Sequence, residues 1–364
     1  MDFAAAFLIG SVGLGVFLIY LALRPAHGGK GKARQTQPVV PQKAVTRQHS
    51  GEDFRQPELP PPTSVSRGEQ ESFADPQQAK LMRQLQHFVY TVAEHYKLPV
   101  LPVAVTQTLA LIQKESLDLR EICRVLSTDV ALASRVLSMA RSPIYNLRQS
   151  PNTLQQALKV LGMQELRRIL LTAGTLPLYA GPSEAARAAW RHSLTTALAC
   201  QVLADRNRHI DNDQAFIVGL LHDVGSLVLL HSNRAQFDKM WNLSRKKRGV
   251  SVDWEREFFP RDHAWVGASV LYRWHMDTKM LTAVLSHHDG LGMQQPESLL
   301  ALLKVGEWIA TRLGAGFILE PITPTEEVRA YYGCETEKEV ENITSRVAKI
   351  FEEQRNALEG KHAA

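Results

Sequence analysis

Residues 219–226 read GLLHDVGS, and they place an imidazole, His222, beside a carboxylate, Asp223, at the end of a strongly apolar helical run. Adjacent nitrogen and oxygen donors among apolar residues suit a buried metal centre. A His-Asp dipeptide alone also occurs on exposed helices by chance, so its meaning depends on partners elsewhere in the chain.

The flanking sequence supplies them. A helix opening at Asp211 or Asn212 carries Ala215, Val218 and Leu221 as one stripe, and His222 and Asp223 follow about 100° apart around its axis. Upstream, Ser183 can cap a helix through WRHSLTTALACQVLA that aligns His192 with Thr195, Thr196, Ala199 and Leu203. Downstream, Asp262 reads as the N-cap of HAWVGASVLYRW, with His263 in its first turn. Asp277 starts TKMLTAVLSHHDG, where Met280 and Val284 lead by helical spacing to His287 and His288 before Gly290 ends the helix. Ser298 opens a last helix in which Glu307 shares a face with Leu300, Leu303 and Ala310.

Each histidine taken singly reads as a hydrogen-bonded core residue. Five helices that all turn a His or a carboxylate inward need a common cause, because an unpaired buried charge costs several kcal/mol by order of magnitude. A shared cation removes that cost. Nitrogen and oxygen donors without thiolate suit Fe, Mn, Zn or Mg, and an aspartate beside a histidine can bridge two ions that polarise a phosphate. The candidate ligands are His192, His222, Asp223, His263, His287, His288 and Glu307.

Composition agrees with a folded chain: 364 residues are 45% hydrophobic and 22% charged. The net charge of +5 is not gathered into one stripe, so no nucleic-acid partner is expected. Cys123, Cys200 and Cys334 lie far apart, which excludes a CxxC thiolate site and suits a reducing compartment. The N-terminus stands apart. Phe3 to Leu23 is an uncharged apolar run of the length a membrane-crossing helix needs, and Arg24 to Arg47 carries basic residues without acidic ones. That asymmetry predicts a single-pass anchor over residues 1–24 in the inner (cytoplasmic) membrane, with the bulk of the chain in the cytoplasm. Residues 25–75, rich in Pro, Gly and Gln, read as a disordered tether. Residues 76–97 read as an amphipathic helix on Leu81, Leu85, Phe88, Val89 and Val92, and no later run demands a strand. The expected fold is all-α.

The ordered motifs WRHS with His192, LLHDVG with His222 and Asp223, DHAWVGASVLYRW with His263, and SHH with His287 and His288 resemble the HD superfamily of metal-dependent phosphohydrolases. Together with LPVLPVAVTQTLALI, STDVALASRVLSMARSPIYN and LQQALKVLGMQELRRILL, the chain resembles more closely the HDOD family, the HD-related output domain of bacterial signalling proteins. The resemblance covers about residues 98–314 and implies two helical lobes, the second being the HD-like core; beyond it, residues 315–364 read as a helical extension. It also implies a regulatory module that works through signalling proteins without catalysis. Its alternative is a metal-dependent phosphohydrolase acting on a nucleotide or cyclic dinucleotide, with Asp223 as the catalytic residue. The sequence departs from the family pattern in several places. Ser226 stands where cyclic-dinucleotide hydrolases carry a Lys, Glu307 is the nearest counterpart of a late Asp, and Asp289-Gly290-Leu291 follows the two histidines. In the first lobe Asp129-Val130 replaces Asp-Pro, and Arg141-Ser142 replaces Asn-Ser.

Three minor features complete the reading. Arg245 to Arg248 reads as a solvated basic loop, and Trp190, Trp265 and Trp274 as packing residues. Val340, Ile343, Val347 and Ile350 form a stripe that either covers the domain or pairs with a second copy of the chain, a packing helix being expected.

Overall fold

Short polar residues open most of the helices. Asp118, Asp129, Thr153, Ser183, Asp211, Asp262, Asp277, Ser298 and Thr325 each accept a bond from a main-chain N–H two or three residues ahead, satisfying one donor that a helix start leaves unpaired. The computed structural model describes residues 96–358, with breaks at 115, 143–144, 146–149, 180–182, 208, 248–250, 289–294 and 317–322, together with positions 83–85, 88, 89 and 92. The anchor and tether expected over residues 1–75, Leu81 of the following helix, and the Asp289-Gly290-Leu291 turn lie outside the described residues.

Among the described residues there is no strand. The helices are α1 (Val103–Ile112), α2 (Leu119–Leu126), α3 (Val130–Ala140), α4 (Leu154–Thr175), α5 (Glu184–Ala204), α6 (Asn212–Leu221), α7 (Val224–Ser232), α8 (Arg234–Lys247), α9 (Ser251–Phe258), α10 (His263–Arg273), α11 (Thr278–Ser286), α12 (Leu299–Arg312), α13 (Glu326–Tyr331) and α14 (Glu337–Leu358). The fold is the two-lobed, all-α arrangement expected. Helices α1–α4 pack on one another as the first lobe, and α5–α12 form the second around the central α5. The lobes meet where α4 packs on α6, and α14 lies across α3 and α5.

Local chemistry explains two departures from the family pattern. Val130 is the first residue of α3 and 81% exposed, a position that suits Pro because its N–H needs no intrahelical partner, and that accepts Val as well. Arg141 ties the end of α3 to the start of α4 by donating from Nε to the Pro151 carbonyl at 2.8 Å.

Described positions 85, 88, 89 and 92 are helical and buried, so the apolar face read before residue 97 packs on the domain. The Phe88 ring meets Trp265 edge-on, centroids 5.4 Å apart. Val340, Ile343 and Val347 are buried where α14 covers α5, as a packing helix should be. The basic stretch from Arg245 departs from the expected loop. Arg245, Lys246 and Lys247 finish α8, and Arg245 stacks 4.7 Å over Trp241 while pairing with Glu184 at 3.3 Å.

A polar clamp joins the lobes. Arg167 and Arg168 of α4 reach Asp213 of α6 at 3.0 and 3.3 Å, and Arg168 also holds Glu165 at 2.9 Å. Asp213 is 3% exposed, so its charge depends on these partners. Asp213→Ala should therefore destabilise the protein by about 1.5–3 kcal/mol, the range for hydrogen bonds to charged groups. Urea unfolding would show it, and an unchanged midpoint would mean that water replaces the carboxylate at no cost.

Among the described residues one helical stretch, Asn212–Ser232, has the length and apolarity to cross a membrane, yet 89% of its most apolar 18 residues are buried inside the fold. It spans α6 and α7 and breaks at His222-Asp223, which makes it a core element of this domain.

Candidate metal centre

The backbone decides what each side chain is free to do. Helix α6 ends at Leu221, His222 caps it, and Asp223 opens α7 with a non-helical φ of −100° and ψ of 12°. The sequence pattern puts both residues at the end of one helix; the structure puts them in the joint between two. Asp223 differs from Asp211, Asp262 and Asp277, whose carboxylates accept N–H bonds at their own helix starts. Its side chain caps nothing, so both oxygens turn inward.

Four more elements bring the remaining donors to the same place. His192 lies midway along α5, His263 is the first residue of α10, His287 caps α11 with His288 next to it, and Glu307 lies on α12. His192, His222, Asp223, His263, His287 and Glu307 are between 0 and 7% exposed, and His288 is partly buried. All seven residues singled out in the sequence are brought together. They form two adjoining groups of potential ligands: Asp223, His263, His287 and His288 in one, and His192, His222 and Glu307 in the other.

The hydrogen bonds orient the rings. Nδ1 of His192 lies 3.0 Å from the Ala315 carbonyl, that of His222 lies 2.9 Å from Gly219 O, and that of His287 lies 2.6 Å from Val284 O. Nδ1 of His263 lies 2.6 Å from Glu255 Oε2. Because these partners only accept, each Nδ1 carries the proton and each Nε2 of the neutral ring offers a lone pair. Those lone pairs converge. The Nε2–Nε2 separations are 3.1 Å for His192–His222, 3.2 Å for His263–His287 and 2.9 Å for His263–His288. Asp223 joins the two groups: Oδ1 lies 3.1, 3.4 and 3.5 Å from Nε2 of His263, His222 and His287, and Oδ2 lies 3.6 Å from His192. Glu307 Oε1 is 3.6 Å from His222 Nε2.

This donor set fits a metal ion. Facing lone pairs repel unless a positive charge lies between them, and among the described residues none gives the buried Asp223 Oδ1 a well-aligned hydrogen bond. Ligand bonds of about 2.0–2.2 Å place neighbouring donors about 2.8–3.6 Å apart, the separations found here. Imidazoles that donate from Nδ1 to a carbonyl or carboxylate and present Nε2 inward are the usual arrangement around a bound metal.

For three of the rings electrostatics point the same way. Burial pushes the His192 imidazole down, the His222 imidazole down to about 3, and that of His288 well below its ordinary value, so these rings stay neutral and able to ligate. Burial would raise Asp223, but the neighbouring His222 and His263 outweigh it and hold the carboxyl well below its usual range. Burial would lower His263, yet the carboxylates of Glu255 and Asp223 hold it well above. Glu307 is pushed up to about 7 by burial.

One residue at this centre escaped the sequence reading. Glu255 of α9 is fully buried, and its Oε2 accepts from both the main-chain N–H of His263, at 2.7 Å, and its ring. No periodicity links it to His263, because the two belong to different helices and meet through the turn between α9 and α10.

Gly225 brings α7 and α10 together. A Cβ there would lie 2.0 Å from the His263 carbonyl oxygen and 2.6 Å from the Gly267 nitrogen. The glycine of the His-Asp motif is therefore the surface on which the helix start carrying His263 rests.

Known proteins share this architecture. A Geobacter sulfurreducens HDOD domain protein of unknown function has a similar structure, with TM-score 0.60 and 20% identity over 78% of this chain and 100% of that one. A Marinobacter aquaeolei protein, provisionally called a signal transduction protein, aligns with TM-score 0.61 and 19% identity over 78% of this chain and 66% of that one. A Shewanella amazonensis protein, provisionally called a phosphohydrolase, aligns with TM-score 0.54 and 20% identity, covering 78% of this chain and 98% of that one. Among curated sequences, an uncharacterized Treponema pallidum protein is 21% identical over 197 residues, 53% of this chain and 38% of that protein. The profile described as HDOD domain matches residues 98–290, more than half of the 364 residues, and the chain belongs to the HDOD domain family.

Proposed function

We propose that the chain is a membrane-tethered bacterial signalling module whose HDOD domain acts through contacts with other signalling proteins, around a structural metal centre. The burial of the centre carries this reading. Six of its seven donors are at most 7% exposed, and a closed set of ligands is the mark of a structural site, whereas a catalytic one keeps a position open to substrate. Ser226, fully buried at the place of the hydrolases' Lys, offers no cation to a phosphate. The ion would be Fe, Mn, Zn or Mg, held by the imidazole Nε2 atoms together with Asp223 and Glu307. Tethering rests on the apolar run from Phe3 to Leu23 and the basic residues after it. Deleting residues 1–24 is expected to move the protein from the membrane fraction to the soluble one; continued sedimentation with membranes would count against the anchor.

A second reading draws support from Asp223, whose two oxygens address both groups of donors, as a carboxylate bridging two ions does. It is a phosphohydrolase for a nucleotide or cyclic dinucleotide, in which bound metal would polarise a phosphoryl oxygen and make water a stronger acid. The deciding experiment purifies the full chain after expression with Fe, Mn and Zn supplied, then measures metal content and hydrolysis of a nucleotide panel. The signalling reading expects bound metal with no turnover. Turnover that disappears in Asp223→Ala would replace it with the second reading.

Metal uptake should depend on pH in a defined direction. Glu307 holds its proton up to about pH 7 and His263 beyond its ordinary range, and both must be deprotonated at the inward-facing atom to ligate. Apparent affinity should therefore rise by about tenfold or more per pH unit between pH 5 and 7, since at least one proton leaves per ion bound. Chelator competition at several pH values measures it, and a flat profile would exclude Glu307 from the ligand set.

A further inference from the structure

We propose that Glu255 is a positioning residue, whose buried carboxylate fixes the His263 ring and thereby sets how tightly the centre takes up a divalent cation. The proposal rests on the metal reading above.

Four imidazoles in the centre have an identified Nδ1 partner, and Glu255 is the exception among those partners. His192, His222 and His287 donate to neutral main-chain carbonyls, whereas His263 donates to a carboxylate. An anionic acceptor at Nδ1 makes Nε2 a stronger donor to a metal, and it fixes the tautomer and the ring plane. His263 is also the ring with the most convergent contacts: its Nε2 lies 3.1 Å from Asp223 Oδ1, 3.2 Å from His287 and 2.9 Å from His288. Whatever aims His263 therefore acts on a whole group of ligands.

The fold immobilises Glu255 and His263 against each other. A single oxygen, Oε2, takes both the ring N–H and the main-chain N–H of His263, so the ring is referenced to its own backbone. The turn between α9 and α10 is closed by Arg256, whose Nε lies 2.9 Å from Asp262 Oδ2, and Gly225 supports the His263 main chain from the other side.

The two hydrogen bonds from His263 need an acceptor, which an amide oxygen would also provide, so stability gives no reason for the charge here. Glu255 is 0% exposed, and its second oxygen, Oε1, has no hydrogen-bond partner among the described residues. Well-packed apolar residues in such positions are often as stabilising as the buried charge they replace. The hydroxyl of Tyr96 is likewise buried without a partner and is raised by burial and by the charge of Glu255. Tyr96 and positions 85, 88, 89 and 92 before it are buried, and in low-dielectric surroundings a charge acts strongly on the groups it touches.

The test uses the full chain and Mn²⁺ and Zn²⁺ as probes, with dissociation constants from chelator competition and unfolding midpoints for the metal-free and loaded forms. Glu255→Gln keeps the shape and an acceptor but removes the charge. It is expected to weaken binding of both ions about 10–100-fold, the usual effect of losing an outer partner of a ligand histidine, while the metal-free midpoint stays at the wild-type value or rises. A purely structural Glu255 would do the reverse, lowering the metal-free midpoint and leaving the dissociation constants unchanged, and that result would overturn the proposal. Should Glu255→Gln not fold, Glu255→Asp keeps the charge and draws the oxygen back by one methylene. It should weaken binding in the same direction, and wild-type affinity in that variant would overturn the proposal as well. Wild-type protein that takes up neither ion would refute the metal reading and this assignment together; normal wild-type binding with an unaffected Glu255→Gln would refute this assignment alone.

Discussion

Gly225→Ala is expected to cost about 3 kcal/mol or more, the upper part of the range for overpacking a well-packed interior. The added Cβ would meet the His263 carbonyl oxygen at 2.0 Å, the Gly267 nitrogen at 2.6 Å and the His263 carbonyl carbon at 2.8 Å. All three are main-chain atoms in α10 or at its start, so no side chain can swing aside. Relief requires α7 and α10 to separate, which draws His263 out of the centre. For a domain of this size each kcal/mol is worth about 2–4 °C, so the unfolding midpoint should fall by about 6–12 °C. Gly316→Ala is the control. Its Cβ would make only ordinary contacts of 3.5–3.9 Å with Thr311, and a change within about 0.5 kcal/mol is expected. A Gly225→Ala protein as stable as wild type would show that the crossing of α7 and α10 is looser than this geometry.

Asp223→Ala should abolish metal retention. Its carboxylate contacts both groups of donors, with Oδ1 3.1 Å from His263 and Oδ2 3.6 Å from His192. Removing it takes away a negative charge and the link between the groups at once. The loss of affinity should exceed the roughly 100-fold ceiling seen when only an outer partner is removed. Elemental analysis of the purified variant beside wild type, with chelator competition for the affinity, measures it. Asp223→Asn adds a second arm, because it preserves volume and still offers one oxygen; a full metal complement in Asp223→Ala would remove Asp223 from the ligand set, and one in Asp223→Asn would show that its charge is not needed.

Much of this arrangement is legible in the sequence. The helix starts at Ser183, Asp211, Asp262, Asp277 and Ser298 depend on side chains two or three residues from the groups they satisfy, and such local chemistry is written in the sequence. The inward faces of His192, His287 and Glu307 follow from helical spacing against their neighbours. Three features escaped because their causes are not local. The Arg245 stretch is held in a helix by Trp241 and Glu184, the second of them on another element. Glu255 has no spacing relation to His263 that a periodic pattern could reveal. Asp223 sits at a helix start as several other aspartates do, and only the backbone angles at the joint show that its carboxylate is left unspent.

By itself the sequence determined the all-α class, the caps, the face each donor occupies and the order of motifs that marks the HDOD family, because each depends on residues within a turn or two of one another. Tertiary structure decided that residues as far apart as His192 and Glu307 share one centre, that Asp223 joins its two halves, and that Glu255 stands behind His263. Those outcomes depend on where helices cross, and the crossings are set by close main-chain approaches such as Gly225 against His263, which no pattern along one helix encodes.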